Sequence, residues 1–95
     1  MFKCRDGTLI DGEYFTYLLY FRDWVKKFQF IQKDFDLVSV NIVKTGVEVP
    51  MDDLEDINKK IRVILGNGCR IEYKFLEDIL PSSSGKYRYT ISEVV

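Results

Sequence analysis

The sequence contains no histidine, only two cysteines and no excess of charge, and each of these shortages excludes a class of function. Without histidine, serine triads, Cys-His dyads and the common histidine-containing metal sites cannot form. Cys4 and Cys69 are too few and too widely spaced to predict a disulfide framework or a zinc site. We therefore expect free thiols in a reducing cytoplasm, with any chemistry carried by Lys, Arg, Asp, Glu, Tyr, Ser or the backbone.

The charges are balanced, since 14 basic and 15 acidic residues give a formal net charge of -1. They are also spread along the chain, so there is no electrostatic footprint for nucleic acid or an anionic membrane. The longest apolar-rich stretch, residues 14–21, is far shorter than the ~20 residues of a membrane span. Lys3 and Asp6 interrupt the N-terminus, which excludes a secretory pattern. We expect a cytoplasmic domain with neither nucleic acid nor membrane as a partner.

Hydrophobic residues make up 46% and aromatic residues 15% of the 95 residues. These values are too high for a disordered chain. A chain of this length supports one hydrophobic core, so residues 1–95 are predicted to form one domain.

The hydrophobic periodicity predicts an alternation of strands and helices. A hairpin-like lead-in that includes a short strand over 8–10 precedes a helix over 13–21, which is apolar nearly all round and is expected to pack on more than one surface. A second helix is expected to start at Asp52 with a capping-box-like Glu55 and to end at Gly66. Alternating residues predict further strands over 25–33, 37–44, 70–76 and 87–94, of which the first two are expected to form an antiparallel hairpin. This order favours an α+β, ferredoxin-like domain: a twisted, mainly antiparallel sheet with two helices on one face.

The most informative segment is 80–88, LPSSSGKYR, which places a lysine directly after a small, hydroxyl-rich turn. Gly85 lets the backbone approach a bound group, and Lys86 can bring a mobile positive charge to a phosphate or oxyanion. The spacing is not that of a Walker loop. From the residues alone, the alternative is an ordinary solvated lysine in a surface loop.

Both ends of the chain resemble motifs of adenylate-forming enzymes. LPSSSGKYRYTISEV is similar to the final motif of that superfamily, a proline and a Ser/Thr-rich turn followed by Gly-Lys. FKCRDGTLIDGE resembles the segment written roughly as VKIRGxRIxxGE, with matches at Lys3, Arg5, Ile10, Gly12 and Glu13. GEYFTYLLY and SGKYRYTISEV look most like the phenylacetate-coenzyme A ligase family, including its capsule-biosynthesis-associated members.

The resemblance implies that residues 1–95 are the C-terminal lid domain of an ATP-dependent carboxylic acid-CoA ligase. Its partner is then the N-terminal adenylation domain of the same polypeptide, which lies outside this sequence and binds ATP, the acid and Mg²⁺. Lys86 is implied to contact the acid carboxylate and the α-phosphate during acyl-adenylate formation, within the loop of Ser84 and Gly85. The isolated domain is expected to be inactive and to bind no cofactor.

For thioester formation with coenzyme A, the family's lid rotates and presents a second face. The resemblance places Gly7 in the hairpin that lines the pantetheine tunnel in that step, although the family's glycine aligns with either Asp6 or Gly7. A plain turn glycine is an equal alternative.

Two other functions compete with the lid. The first is a non-catalytic, ACT-like regulatory or ligand-binding module, which has no need for Lys86. The second is a single-stranded RNA binder, suggested by Tyr14, Tyr17, Tyr20 and Trp24, but the RNP signature is absent and core or interdomain packing is favoured.

The acidic residues of the second helix's first turn are attributed to the helix dipole rather than to a cation site.

Overall fold

A computed structural model describes residues 2–4, 6–79 and 90–93. The elements alternate in the order that the sequence predicts. They are β1 (Phe2–Lys3), β2 (Leu9–Ile10), α1 (Glu13–Tyr20), β3 (Val25–Asp34), β4 (Leu37–Lys44), α2 (Met51–Leu65), β5 (Arg70–Phe75) and β6 (Thr90–Ser92). Neither described helix combines the length and the apolar content needed to cross a membrane.

The main sheet has four described strands in the order β5-β4-β3-β6. β3 and β4 form the predicted antiparallel hairpin, and β1 pairs with β2 in a second, antiparallel ribbon. β5 is parallel to β4, because α2 provides the crossover that returns the chain to the same end of the sheet. β6 is parallel to β3, so the sheet is mixed. The predicted α+β class is confirmed, and the domain is consistent with a ferredoxin-like arrangement.

The core lies between one face of the sheet and the two helices. In β3 and β4 every second residue points to this face, because side chains alternate along a strand. Both helices contribute side chains to the same cluster, so they cover the same face, as predicted. The fully or almost fully buried members from these four elements are Phe15, Leu18, Leu19, Phe28, Phe30, Val38, Val40, Ile42, Ile57 and Ile61.

α1 packs on the core with one side only. Phe15, Leu18 and Leu19 are buried, whereas Tyr17 is 61% and Phe21, which follows the helix, 79% exposed. Within the described part of the chain α1 therefore packs on one surface, and its expected packing on a second surface stays a prediction. The spacing alone could not choose between the two apolar faces.

α2 begins one residue earlier than the sequence predicts. Pro50 is at the N-cap position with an extended ψ of 132°, and no side chain caps the helix. Asp52 and Glu55 therefore lie inside the helix, and the predicted capping box is wrong. The C-terminus agrees with the prediction, since Gly66 ends the helix with a φ of +105°, a conformation that glycine adopts at little cost.

Candidate functional site

The predicted site residues fall in two places. Ser84, Gly85 and Lys86 lie in the segment 80–89, outside the described residues. Gly7 lies in the turn between β1 and β2. The geometry of the site is therefore built from the hairpin that carries Gly7 and from β6, the strand that follows Lys86.

The β1–β2 hairpin closes through a tight turn. The Cys4 N–H donates to the Thr8 carbonyl at 2.8 Å, and the Gly7 N–H donates to the Cys4 carbonyl at 3.0 Å. The Asp6 carboxylate accepts the Thr8 N–H, and this bond lowers the pKa of Asp6. Gly7 has a φ of +91°, and apart from its chain neighbours no described atom lies within 4 Å of where a Cβ would be. The turn accounts for a glycine here, and the same openness allows another chain or ligand to approach the backbone closely.

The side chain of Gln32 joins the hairpin to the main sheet. Gln32 lies near the end of β3 and is fully buried. Its Oε1 accepts the Lys3 N–H at 2.9 Å, and its Nε2 donates to the Lys3 carbonyl at 2.7 Å. The carboxamide thus pairs with both backbone groups of Lys3 as a neighbouring strand would. The same Oε1 accepts the Ser92 hydroxyl at 3.1 Å. One side chain therefore bonds both the N-terminal hairpin and β6.

A second contact brings the same two segments together. Gly12 lies directly before α1, and a Cβ on it would overlap the Thr90 side chain. β6 is itself held on β3 by backbone pairing and by the Glu93 N–H, which donates to the Gln32 carbonyl at 2.8 Å. The described parts of the two sequence motifs, far apart along the chain, thus meet beside β3 and β6.

Sequence reasoning did not find Gln32. The signal was present, because Gln32 continues the alternation of Phe28 and Phe30, which are both buried and apolar. A glutamine in that phase must find hydrogen-bond partners or pay a desolvation cost.

Aromatic side chains cover the exposed side of α1, directly after the hairpin and Gly12. Tyr17 and Phe21 are stacked with ring centroids 6.4 Å apart, and Tyr20 contacts the Phe21 ring edge-on at 5.0 Å. Trp24 is in the core, as predicted, but Tyr17 and Tyr20 are about 60% exposed and are not. Their packing against another domain stays a prediction.

The acidic residues at the start of α2 are used for packing. Arg22 contacts Asp53 at 3.2 Å and Asp56 at 3.0 Å, and the buried Trp24 indole N–H donates to Asp53 at 2.7 Å. Hydrogen bonds from Lys60 and Arg22 lower the pKa of Asp56. These bonds account for Asp53 and Asp56 in addition to the helix dipole. No group of three or more metal-ligating side chains occurs among the residues described.

Both cysteines are free thiols, as predicted. Burial is the main cause that raises the pKa of Cys4, which is partly buried, and of Cys69, which is buried. A raised pKa reduces the thiolate fraction at neutral pH.

A family model described as the CapK C-terminal domain matches residues 2–93, almost the whole chain. Among the curated proteins and the solved structures, no significant match was found.

Proposed function

Because the chain belongs to the CapK C-terminal domain family, we propose that it is the lid of a larger ATP-dependent carboxylic acid-CoA ligase of the phenylacetate-coenzyme A ligase type. The observation that carries this proposal is the convergence of the two motif-bearing segments on one edge of the sheet. A lid needs its two functional segments on one rigid body, so that a single rotation moves both. The shared bonds at Gln32 supply that connection.

In the first step the lid supplies positive charge. Lys86 precedes Thr90, the first residue of β6, by four positions in the sequence. ATP, the acid and Mg²⁺ are held by the N-terminal adenylation domain. Lys86 stabilises the charge that develops around the α-phosphate as the acid carboxylate attacks.

In the second step the lid presents the hairpin. The Gly7 turn has the open surroundings that a wall of a narrow tunnel requires, since no described atom lies within 4 Å of a Cβ placed there. Coenzyme A supplies the thiol, and the hairpin backbone orients the pantetheine arm toward the acyl-adenylate. The exposed aromatic side of α1 adjoins this hairpin in the chain and packs against the adenylation domain.

The proposal is tested by dividing the parent polypeptide. We expect the intact parent to release pyrophosphate in the presence of ATP and its acid. The parent truncated before this domain and the isolated 95-residue chain should each release none, since each holds half of the site. Equilibrium dialysis with ATP serves as the control that the truncated parent remains folded.

Pyrophosphate release at the intact rate by an ATP-binding truncated parent would contradict the lid function. That result would favour the ACT-like regulatory module, which modulates a complete active site rather than completing one.

A further inference from the structure

We propose that Gln32 is a positioning residue that fixes the Gly7 hairpin for the thioester-forming step, an inference that rests on the proposed function. The carboxamide makes two hydrogen bonds to the Lys3 backbone, at 2.9 and 2.7 Å, four residues before Gly7. β1 itself pairs with β2 at only two described positions. Because the hairpin is so short, its orientation depends on its contacts with the rest of the domain.

Hydrophobic contact alone does not set that orientation. Phe2 is fully buried, and its ring lies 4.5 Å from that of Phe15, so the hairpin stays docked without Gln32. Hydrophobic burial is non-directional, however, whereas a hydrogen bond is restricted in distance and angle. The paired bonds between the carboxamide and Lys3 specify where β1 lies along β3.

The position of the hairpin depends on the Gln32 side chain more than the position of β6 does. β6 is bonded to β3 through backbone groups at three paired positions, and the Glu93 N–H donates to the Gln32 backbone carbonyl. A change of the Gln32 side chain leaves all of these bonds in place. For β6 it removes the bond from the Ser92 hydroxyl alone. For the hairpin it removes both bonds to Lys3. β6 thus keeps its backbone bonds, whereas the hairpin loses both bonds to Lys3 and keeps the long, 3.5 Å bond from the Cys4 thiol to the Ile64 carbonyl.

The test uses Gln32→Met in the full-length parent, because methionine is unbranched, flexible and of similar length but cannot make the bonds. Gln29→Met is the matched control. Gln29 lies in the same strand on the opposite side of the sheet, where its carbonyl oxygen accepts a long, 3.5 Å bond from Asn41. The same chemical change is thus made at two neighbouring sites, of which one contacts the hairpin.

The first readout is amide exchange, which does not depend on catalysis. Gln32→Met should accelerate exchange of the Lys3 N–H, which loses its acceptor, while the β4 amides keep their protection. Gln29→Met should leave the Lys3 amide unchanged. Unchanged Lys3 exchange in Gln32→Met would overturn the inference at its first step.

The second readout separates the two half-reactions in single turnovers. Small misplacements of reacting groups cost up to about 10²-fold in rate. We expect Gln32→Met to slow transfer from pre-formed acyl-adenylate to coenzyme A by roughly ten- to a hundredfold and to raise KM for coenzyme A. Acyl-adenylate formation should stay close to the wild-type rate.

Equal loss in both half-reactions, or no loss in either, would overturn the positioning role, since a purely structural defect removes active molecules from both steps alike. The Lys86→Ala variant, assayed in parallel, distinguishes failure of the Gln32 role from failure of the proposed function. If Lys86→Ala slows adenylation while Gln32→Met spares the thiol step, the proposed function stands and the role of Gln32 falls. If the parent forms no acyl-adenylate at all, both fall.

Discussion

At Gln32 a carboxamide occupies a position where the alternation of β3 predicts a hydrophobic side chain. The cost of burying it is offset because its polar atoms bond to Lys3 and Ser92. Gly12 is the complementary case, a residue whose missing side chain makes room for Thr90. Both residues depend on chain segments far away in sequence. Local patterns therefore predicted that Gly66 ends a helix, but not what Gln32 or Gly12 contacts.

Gly12→Ala tests this close approach. The added methyl overlaps the Thr90 side chain, and overpacking of this kind costs about 1–3 kcal/mol of unfolding free energy. Gly68→Ala is the control, because a Cβ there meets no described atom within 4 Å and Gly68 is not among the positive-φ glycines. Its effect should stay within about 0.5 kcal/mol. Urea unfolding followed by the fluorescence of the single tryptophan, Trp24, measures both, and equal effects would contradict the packing at Gly12.

Among the elements, the two helices are joined by polar bonds in addition to the shared core. Arg22 follows α1 and reaches Asp53 and Asp56 of α2, while its Nε donates back to the Leu18 carbonyl at 2.6 Å. Trp24 adds its indole N–H to Asp53. The sequence predicted both helices and their approximate ends. It did not predict this link, because the pairing of Arg22 with α2 depends on how the helices cross.

Asp53→Ala should reveal the link between these elements. It leaves the buried indole N–H of Trp24 without its acceptor. An unsatisfied buried donor costs about 1–3 kcal/mol of unfolding free energy. Asp53→Asn keeps an acceptor oxygen and should cost less. The exposed Asp52 provides the control, because Asp52→Ala removes a charge from the same helical turn without touching Trp24. Thermal or urea denaturation ranks the three variants, and equal losses for Asp52→Ala and Asp53→Ala would refute the assignment.

Across the whole molecule, the fold closes by bringing its two ends to one edge of the sheet. The periodicity of the sequence was sufficient for the order of elements and for the β3–β4 hairpin, since both depend on neighbouring residues. It carried no information on which strand β6 joins or in which direction. The parallel pairing of β6 with β3 follows from long-range contacts such as that of Ser92 with Gln32, 60 residues apart.

The candidate site was predictable to a similar degree. The hairpin and the glycine at its turn followed from local sequence, and their position beside β6 required the structure. The role of Lys86 rests on the resemblance to adenylate-forming enzymes and on the family of the chain. The chemistry of that lysine is therefore the point at which the account is most directly open to test.

The most direct measurement is a pair of single-turnover assays on the full-length parent, one started with ATP and acid and one with synthetic acyl-adenylate and coenzyme A. Lys86→Ala should slow the first by roughly 10²- to 10³-fold, the value of one well-placed charge or donor, and leave the second almost unchanged. Gly7→Ala should slow the second, whereas Gly46→Ala, with similar positive-φ strain in a different turn, should slow neither. If Lys86→Ala slows both assays equally, or neither, the lid function proposed for this domain is wrong.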